Sequence, residues 1–147
     1  MNSLLIEVMP HGIRIPEYQT EGSAGFDLQA AINDPIKLWP CMKKLIPTGL
    51  RMCIPQGFEG QVRPRSGMAH KNFVTVLNAP GTIDSDYRGE IGVILVNMSL
   101  EESVTINRGD RIAQMVIAPY ARLPLVNSSE LGITERGAGG FGSTGVG

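Results

Sequence analysis

Little in this sequence invites metal, redox or membrane chemistry. Its 147 residues hold two cysteines, two histidines and one tryptophan. Cys41 and Cys53 stand apart from any ligand cluster. Two such thiols, with no secretory leader ahead of them, are expected to stay reduced. His11 and His70 have no Cys, Asp or Glu at ligand spacing, which argues against zinc. His11 reads as a turn residue between Pro10 and Gly12, His70 as a surface helix residue, and Trp39 as packing. The opening apolar run, Leu4-Leu5-Ile6, is too short for a signal segment and lacks a basic lead-in. No stretch approaches a membrane span, so a cytoplasmic protein without a membrane partner is expected. The net charge of -1 and pI near 6.1 give no broad attraction to nucleic acid. Any phosphate site must therefore be local, built from a few arginines and backbone amides. Neither a Walker A loop nor a Gly-x-Ser-x-Gly elbow is present.

What is abundant is glycine, with 18 residues, joined by ten prolines. They cut the chain into short pieces, which favours strands and turns over long helices. The hydrophobic share of 42% is ordinary for a globular protein. A chain this long suits one domain, here 1–147, able to bury about two thirds of its surface. Apolar runs recur at Leu4–Val8, Gly25–Ala30, Lys44–Ile54, Glu59–Arg63, Asn72–Leu77, Glu90–Asn97, Ser103–Ile106 and Arg111–Ile117. This spacing predicts an all-β sandwich, barrel or jelly roll. One short helix is expected at Ser66–Lys71, with Ser66 as N-cap and Pro64 blocking an earlier start.

Four segments have chemical potential, each with a plainer structural alternative. At Pro64-Arg65-Ser66-Gly67 a helix start offers free amides and a partial positive charge, and Arg65 adds a forked donor. The same pattern serves as an ordinary cap. In the stretch from Asn78 to Glu90, Pro80-Gly81 reads as a tight turn, and Asp84 and Asp86 share a face if the chain is extended there. Two acids beside Tyr87 and Arg88 suit a general base and its setting, or equally a polar turn. Gly109-Asp110-Arg111 leads into a strand, with Asp110 paired to Arg111 or to a turn amide. The tail from Arg136 to Gly147 has six glycines in twelve residues. It is either a frayed end or a closing arm.

Taken in order, these segments resemble the trimeric dUTP pyrophosphatase family over nearly the whole chain. The resemblance lies in five motifs: Ala24–Leu28, Pro64–Ala69, Gly81–Glu90, Gly109–Gln114, and Arg136 through Gly145. Met68 stands where Leu is frequent in the family, a volume-conserving change. The resemblance implies a jelly-roll protomer, a homotrimer with shared active sites, and an arm at 136–147 that closes over a neighbour's site. It implies hydrolysis of dUTP to dUMP and pyrophosphate with Mg²⁺, which keeps uracil out of DNA and supplies dUMP for thymidylate synthesis.

The roles it implies are specific. The hairpin from Asn78 through Thr82 and Ile83 to Asp84 would read the uracil edge, excluding the thymine methyl and rejecting cytosine through unpaired polar groups. Tyr87 would stack beneath the deoxyribose and block a 2′-hydroxyl. Asp84 would be the general base for water attacking the α-phosphorus. Arg65, Ser66 and Gly67 would hold middle phosphate oxygens, and Gln114 the α-phosphate region. Asp27 would face the magnesium ion through water, with no direct protein ligand expected. Phe141 would stack on uracil with Gly142 beside it, while Arg136, Ser143 and Thr144 would grip the γ-phosphate.

Two rivals are weighed. A dCTP deaminase shares the fold and some motifs, but it places a catalytic Glu on the strand after the Asp loop, and Ile91–Val96 contains no acid. A non-catalytic dUTP-binding protein could keep the fold. Against it, Asp84, Tyr87, Arg136 and Phe141 are all present together.

Overall fold

Short apolar runs separated by turn formers give eleven strands and one helix among the described residues, 3–143, of the computed structural model. The order is β1 (Leu5–Val8), β2 (Gly25–Gln29), β3 (Ile36–Leu38), β4 (Lys43–Pro47), β5 (Leu50–Cys53), β6 (Phe58–Arg63), α1 (Ser66–Asn72), β7 (Val74–Val76), β8 (Gly81–Ile83), β9 (Gly92–Asn97), β10 (Val104–Ile106) and β11 (Arg111–Pro119). They form a four-stranded sheet β2-β11-β6-β8, a three-stranded sheet β4-β9-β7, and the pairs β1-β5 and β10-β3. All the pairings are antiparallel. Non-consecutive strands lie side by side throughout, as expected of the jelly-roll-like class. Leu28, Ile46, Ile91, Val93, Leu95, Ile106, Ile112 and Met115 fill the space between the sheets.

The apolar stretch Lys44–Ile54 is two strands rather than one. Gly49 breaks it by adopting φ +66°, a left-handed conformation that favours glycine. A Cβ at Gly49 would also lie 2.7 Å from the Gly12 nitrogen, so the two glycines permit a close backbone crossing. The helix begins one residue away from expectation. Arg65 occupies the N-cap with extended backbone, Ser66 is already helical, and the cap has no side-chain hydrogen bond. Strand β3 lay unseen in the sequence because it is only three residues between Pro35 and Pro40. Trp39 is half exposed, with the Lys37 ammonium 4.1 Å from its ring centroid, so it does not pack in the core. Cys41 and Cys53 are free.

One buried polar residue ties several turns together. Asn97, fully buried, donates to the carbonyls of Leu38 (3.0 Å) and Glu102 (2.7 Å) and accepts from the Ser99 amide (2.9 Å). It thereby links the end of β3, the β9–β10 turn and, through backbone bonds to Cys41 and Met42, the entry to β4. Asn97→Leu keeps the branched outline of the side chain, adds some bulk and strands these partners. It is expected to cost about 3 kcal/mol, on the basis of about 1–3 kcal/mol per buried unpaired group. Urea unfolding at a fixed protein concentration measures this.

Candidate active site

Strand register builds the first half of the site. In the four-stranded sheet Asp27 on β2 lies opposite Gln114 on β11, and Gln114 lies opposite Arg63 on β6. Towards its start, β11 is irregular: Arg111 faces Gln29 while Ala113 already faces Leu28. This bulge spends one extra residue on β11. As a result Ile112 and Ala113, consecutive in sequence, are both buried. Arg111 moves onto the face of Asp27 and Gln114. The Asp27 carboxylate then accepts from two guanidinium groups, Arg65 Nε at 2.8 Å and Arg111 at 3.3 Å. Arg65 also donates to the Arg111 carbonyl at 3.3 Å, and Gln114 donates to the Pro64 carbonyl at 3.0 Å, pinning the turn into α1.

Around this triad is a cleft of about 280 Å³, lined also by Gln19, Ser23, Ser66, Gly67 and Gln114. Two arginines against one aspartate leave a net positive charge at the lining, in a chain whose total is -1. The first turn of α1 opens into the same space, with amides that lack intrahelical partners. A Cβ on Gly67 would meet nothing within 4 Å, so the approach to the backbone there is open. The arrangement suits a polyanion held by forked donors and amides. Arg111, Gln19 and Ser23 were not singled out from the sequence. For Arg111 the signal was the Gly109–Gln114 segment itself, but its aim depends on the bulge.

A second group of expected site residues lies elsewhere. Among the described residues, Asn78, Thr82, Ile83, Asp84 and Tyr87 do not line that cleft. Leu77–Pro80 make the turn, and Gly81 already begins β8, so the turn falls earlier than Pro80-Gly81. Its flanking strands belong to different sheets, β7 to one and β8 to the other, so this is a corner rather than a paired hairpin. Strand β8 pairs β6 through Gly60↔Ile83 and Gln61↔Thr82. Asp84 and Asp86 do not share a strand face, because the chain leaves β8 after Ile83 and turns. Both are exposed, and Arg88 donates to the carbonyls of Ser85 (2.7 Å) and Tyr87 (2.8 Å) rather than to either acid. The Tyr87 hydroxyl donates to the Glu90 carbonyl at 2.9 Å.

The arm is a third, separate piece. Arg136 Nε donates to the Gly139 carbonyl at 2.8 Å, which curls the arm locally. Phe141 has φ 51° and is fully exposed, and Gly142 and Ser143 are exposed too. Thr144 lies outside the described residues. Upstream, Leu125, Leu131 and Ile133 are wholly exposed. Asp110 takes the turn-amide alternative, accepting from Asn107 N–H at 2.8 Å. Among the described residues no three His, Cys, Asp or Glu side chains converge as a metal cage, and no helix is long and apolar enough to cross a membrane.

Comparison with known proteins is unambiguous about kinship. A family model for dUTPase matches residues 11–145. The deoxyuridine 5'-triphosphate nucleotidohydrolase of Caulobacter vibrioides (strain NA1000 / CB15N) is 60% identical over 134 residues, spanning 90% of this chain and 86% of its own. That of Neorickettsia sennetsu is 56% identical over 143 residues, spanning 96% and 95%. Among solved structures, a mutant dUTPase of Staphylococcus bacteriophage 80alpha with dUpNHpp superposes with a TM-score of 0.87 at 28% identity, over 99% of this chain and all of that one. A mutant dUTPase from phage phi11 of S. aureus, described as coordinating a structural Mg(II) ion, has a TM-score of 0.80 at 26% identity, over 88% and 99%.

Gly67→Ala separates fold from binding at the cleft. Alanine in the helix should leave stability unchanged or raise it by up to about 1 kcal/mol. The new methyl should weaken binding of inorganic tripolyphosphate. Thermal melts beside calorimetric titration check both halves.

Proposed function

Because the chain belongs to the dUTPase family and is a hydrolase of dUTP, we propose that water attacks the α-phosphorus in line, with Asp84 as general base. Asp84 takes the proton of the attacking water as its oxygen bonds to phosphorus. The bond from the α-phosphorus to the α,β-bridging oxygen breaks, and the products are dUMP and pyrophosphate. The observation that carries this reading is the anion cleft at Asp27, Arg65 and Arg111, opening onto the free amides of Ser66 and Gly67. Arg65, Ser66, Gly67 and Gln114 hold the phosphate chain there. Asn78, Thr82 and Ile83 read the uracil edge, and Tyr87 stands against the deoxyribose. Phe141 and Gly142 close over the base, while Arg136, Ser143 and Thr144 take the γ-phosphate.

A single chain keeps these three groups apart, which supports a homotrimer with shared sites. One domain spans 1–147, and its arm, 136–147, reaches a neighbour. The exposed Leu125, Leu131 and Ile133 leading to the arm are consistent with a segment whose partner is another copy. The donor set also bears on the metal. Asp27 already has both oxygens engaged by guanidinium groups, so it fits Mg²⁺ through the ion's water rather than directly. When bound, the ion supplies charge neutralisation along the triphosphate. Such an enzyme in the cytoplasm keeps uracil out of DNA and provides dUMP for thymidylate synthesis.

The decisive experiment resolves the products of dUTP, dCTP, dTTP and UTP, each with and without Mg²⁺. The expected result is dUMP and pyrophosphate from dUTP alone, faster with the ion. Deamination of dCTP would sink the reading. Asp84→Asn is expected to keep dUTP affinity and lose turnover by about 10²–10⁴-fold, the usual contribution of a positioned base. Unchanged turnover removes Asp84 from that role.

Deleting 136–147 is expected to lower turnover sharply and leave the trimer intact in sedimentation. Monomers after the deletion would make the arm structural instead.

A further inference from the structure

The Tyr87 side chain is held within its own chain. Its hydroxyl donates to the Glu90 carbonyl at 2.9 Å. Its phenol lies so close over Gly89 that a Cβ there would collide with it. The Glu90 side chain is gripped by residues from other segments. The Gly49 amide donates to Glu90 Oε1 at 2.8 Å. His11 Nε2 lies 2.8 Å from the same oxygen and must be the donor, because a carboxylate only accepts. These partners are themselves fixed. Gly49 crosses Gly12 backbone to backbone, and Arg108 donates to the carbonyls of His11 (2.9 Å) and Gly12 (3.3 Å). The next residue, Ile91, is fully buried, and its carbonyl accepts from the Thr48 hydroxyl at 2.6 Å. Segments remote in sequence thus converge on one carboxylate that the reaction leaves unused.

We propose that Glu90 is a positioning residue, locking the peptide that receives the Tyr87 hydroxyl and so holding the Tyr87 ring as a rigid plate that tells deoxyribose from ribose. The inference rests on the reading of Tyr87 as the surface against the sugar. A ring excludes a 2′-hydroxyl only while it cannot step back, and discrimination of this kind needs placement to within about 0.5 Å. Loosening the plate admits the ribonucleotide more than it harms the deoxyribonucleotide. The effect belongs to specificity before rate.

The test is kcat and KM for dUTP and UTP in the full-length protein. Glu90→Ala is expected to lower the dUTP-over-UTP ratio of kcat/KM about tenfold, mainly through KM for UTP. Glu90→Gln should restore the ratio, since its amide oxygen accepts the same two N–H groups. The double variant Tyr87→Phe/Glu90→Ala should discriminate no worse than Glu90→Ala alone, because both act through one contact. An unchanged ratio in Glu90→Ala, or additive losses in the double variant, overturns the inference. If Glu90→Ala fails to fold, Tyr87→Phe decides, since it removes only the hydroxyl. A lost ratio supports the lock and a kept ratio refutes it. Tyr87→Ala distinguishes the two levels. A ratio indifferent to loss of the ring defeats the sugar-plate reading itself, whereas one lost in Tyr87→Ala and kept in Glu90→Ala defeats only the role of Glu90.

Discussion

The register of β11 is the constraint on which the rest depends. This nine-residue strand pairs β2 along one edge and β6 along the other. Sliding it by one residue would exchange Met115, fully buried, for Gln114, and would carry Arg111 away from Asp27. Burial of Ile112, Ala113 and Met115 therefore selects the same register that assembles the charged triad. Because the apolar face fixes the strand, the arginines and the aspartate need not supply the stability that holds them together. A partly buried ion pair is a poor source of stability in any case. It is better understood as a shaped charge, with one carboxylate orienting two guanidinium groups.

Much of this was legible in the sequence, because strand alternation and turn residues are local signals. The runs ending at Val8, Arg63, Asn97 and Ile106 became strands with the same final residue. The readings that failed depended on distant partners. Gly49 splits β4 from β5 because Gly12 crosses there, a contact between residues remote in sequence. Arg111 joins the site through a bulge that is defined only by pairing with β2. Asp84 and Asp86 looked like neighbours on a strand, but β8 stops at Ile83 when its pairing with β6 runs out. Ser66 looked like a cap by residue type, while the helix takes Arg65 there, whose side chain is occupied with Asp27.

Under the proposed function the three pieces have different demands to meet. A polyanion cleft needs donors fixed before the ligand arrives, since preorganised charge is worth more than charge that must rearrange. The cleft meets this need with strands and a helix start. Base and sugar recognition needs a shaped edge that rejects near-isosteres, and the proposed function gives it to the corner after β7 and to Tyr87, whose hydroxyl donates to the Glu90 carbonyl beside Gly89. Enclosure is different, because substrate must enter before water can be shut out. The arm proposed for this has six glycines in twelve residues, and its described part, 136–143, belongs to no strand. Rigid recognition and mobile enclosure make opposite demands on the backbone. The proposed function meets both by assigning them to different segments of the chain, and the exposed Leu125, Leu131 and Ile133 between β11 and the arm are the surface that the proposed trimer would cover.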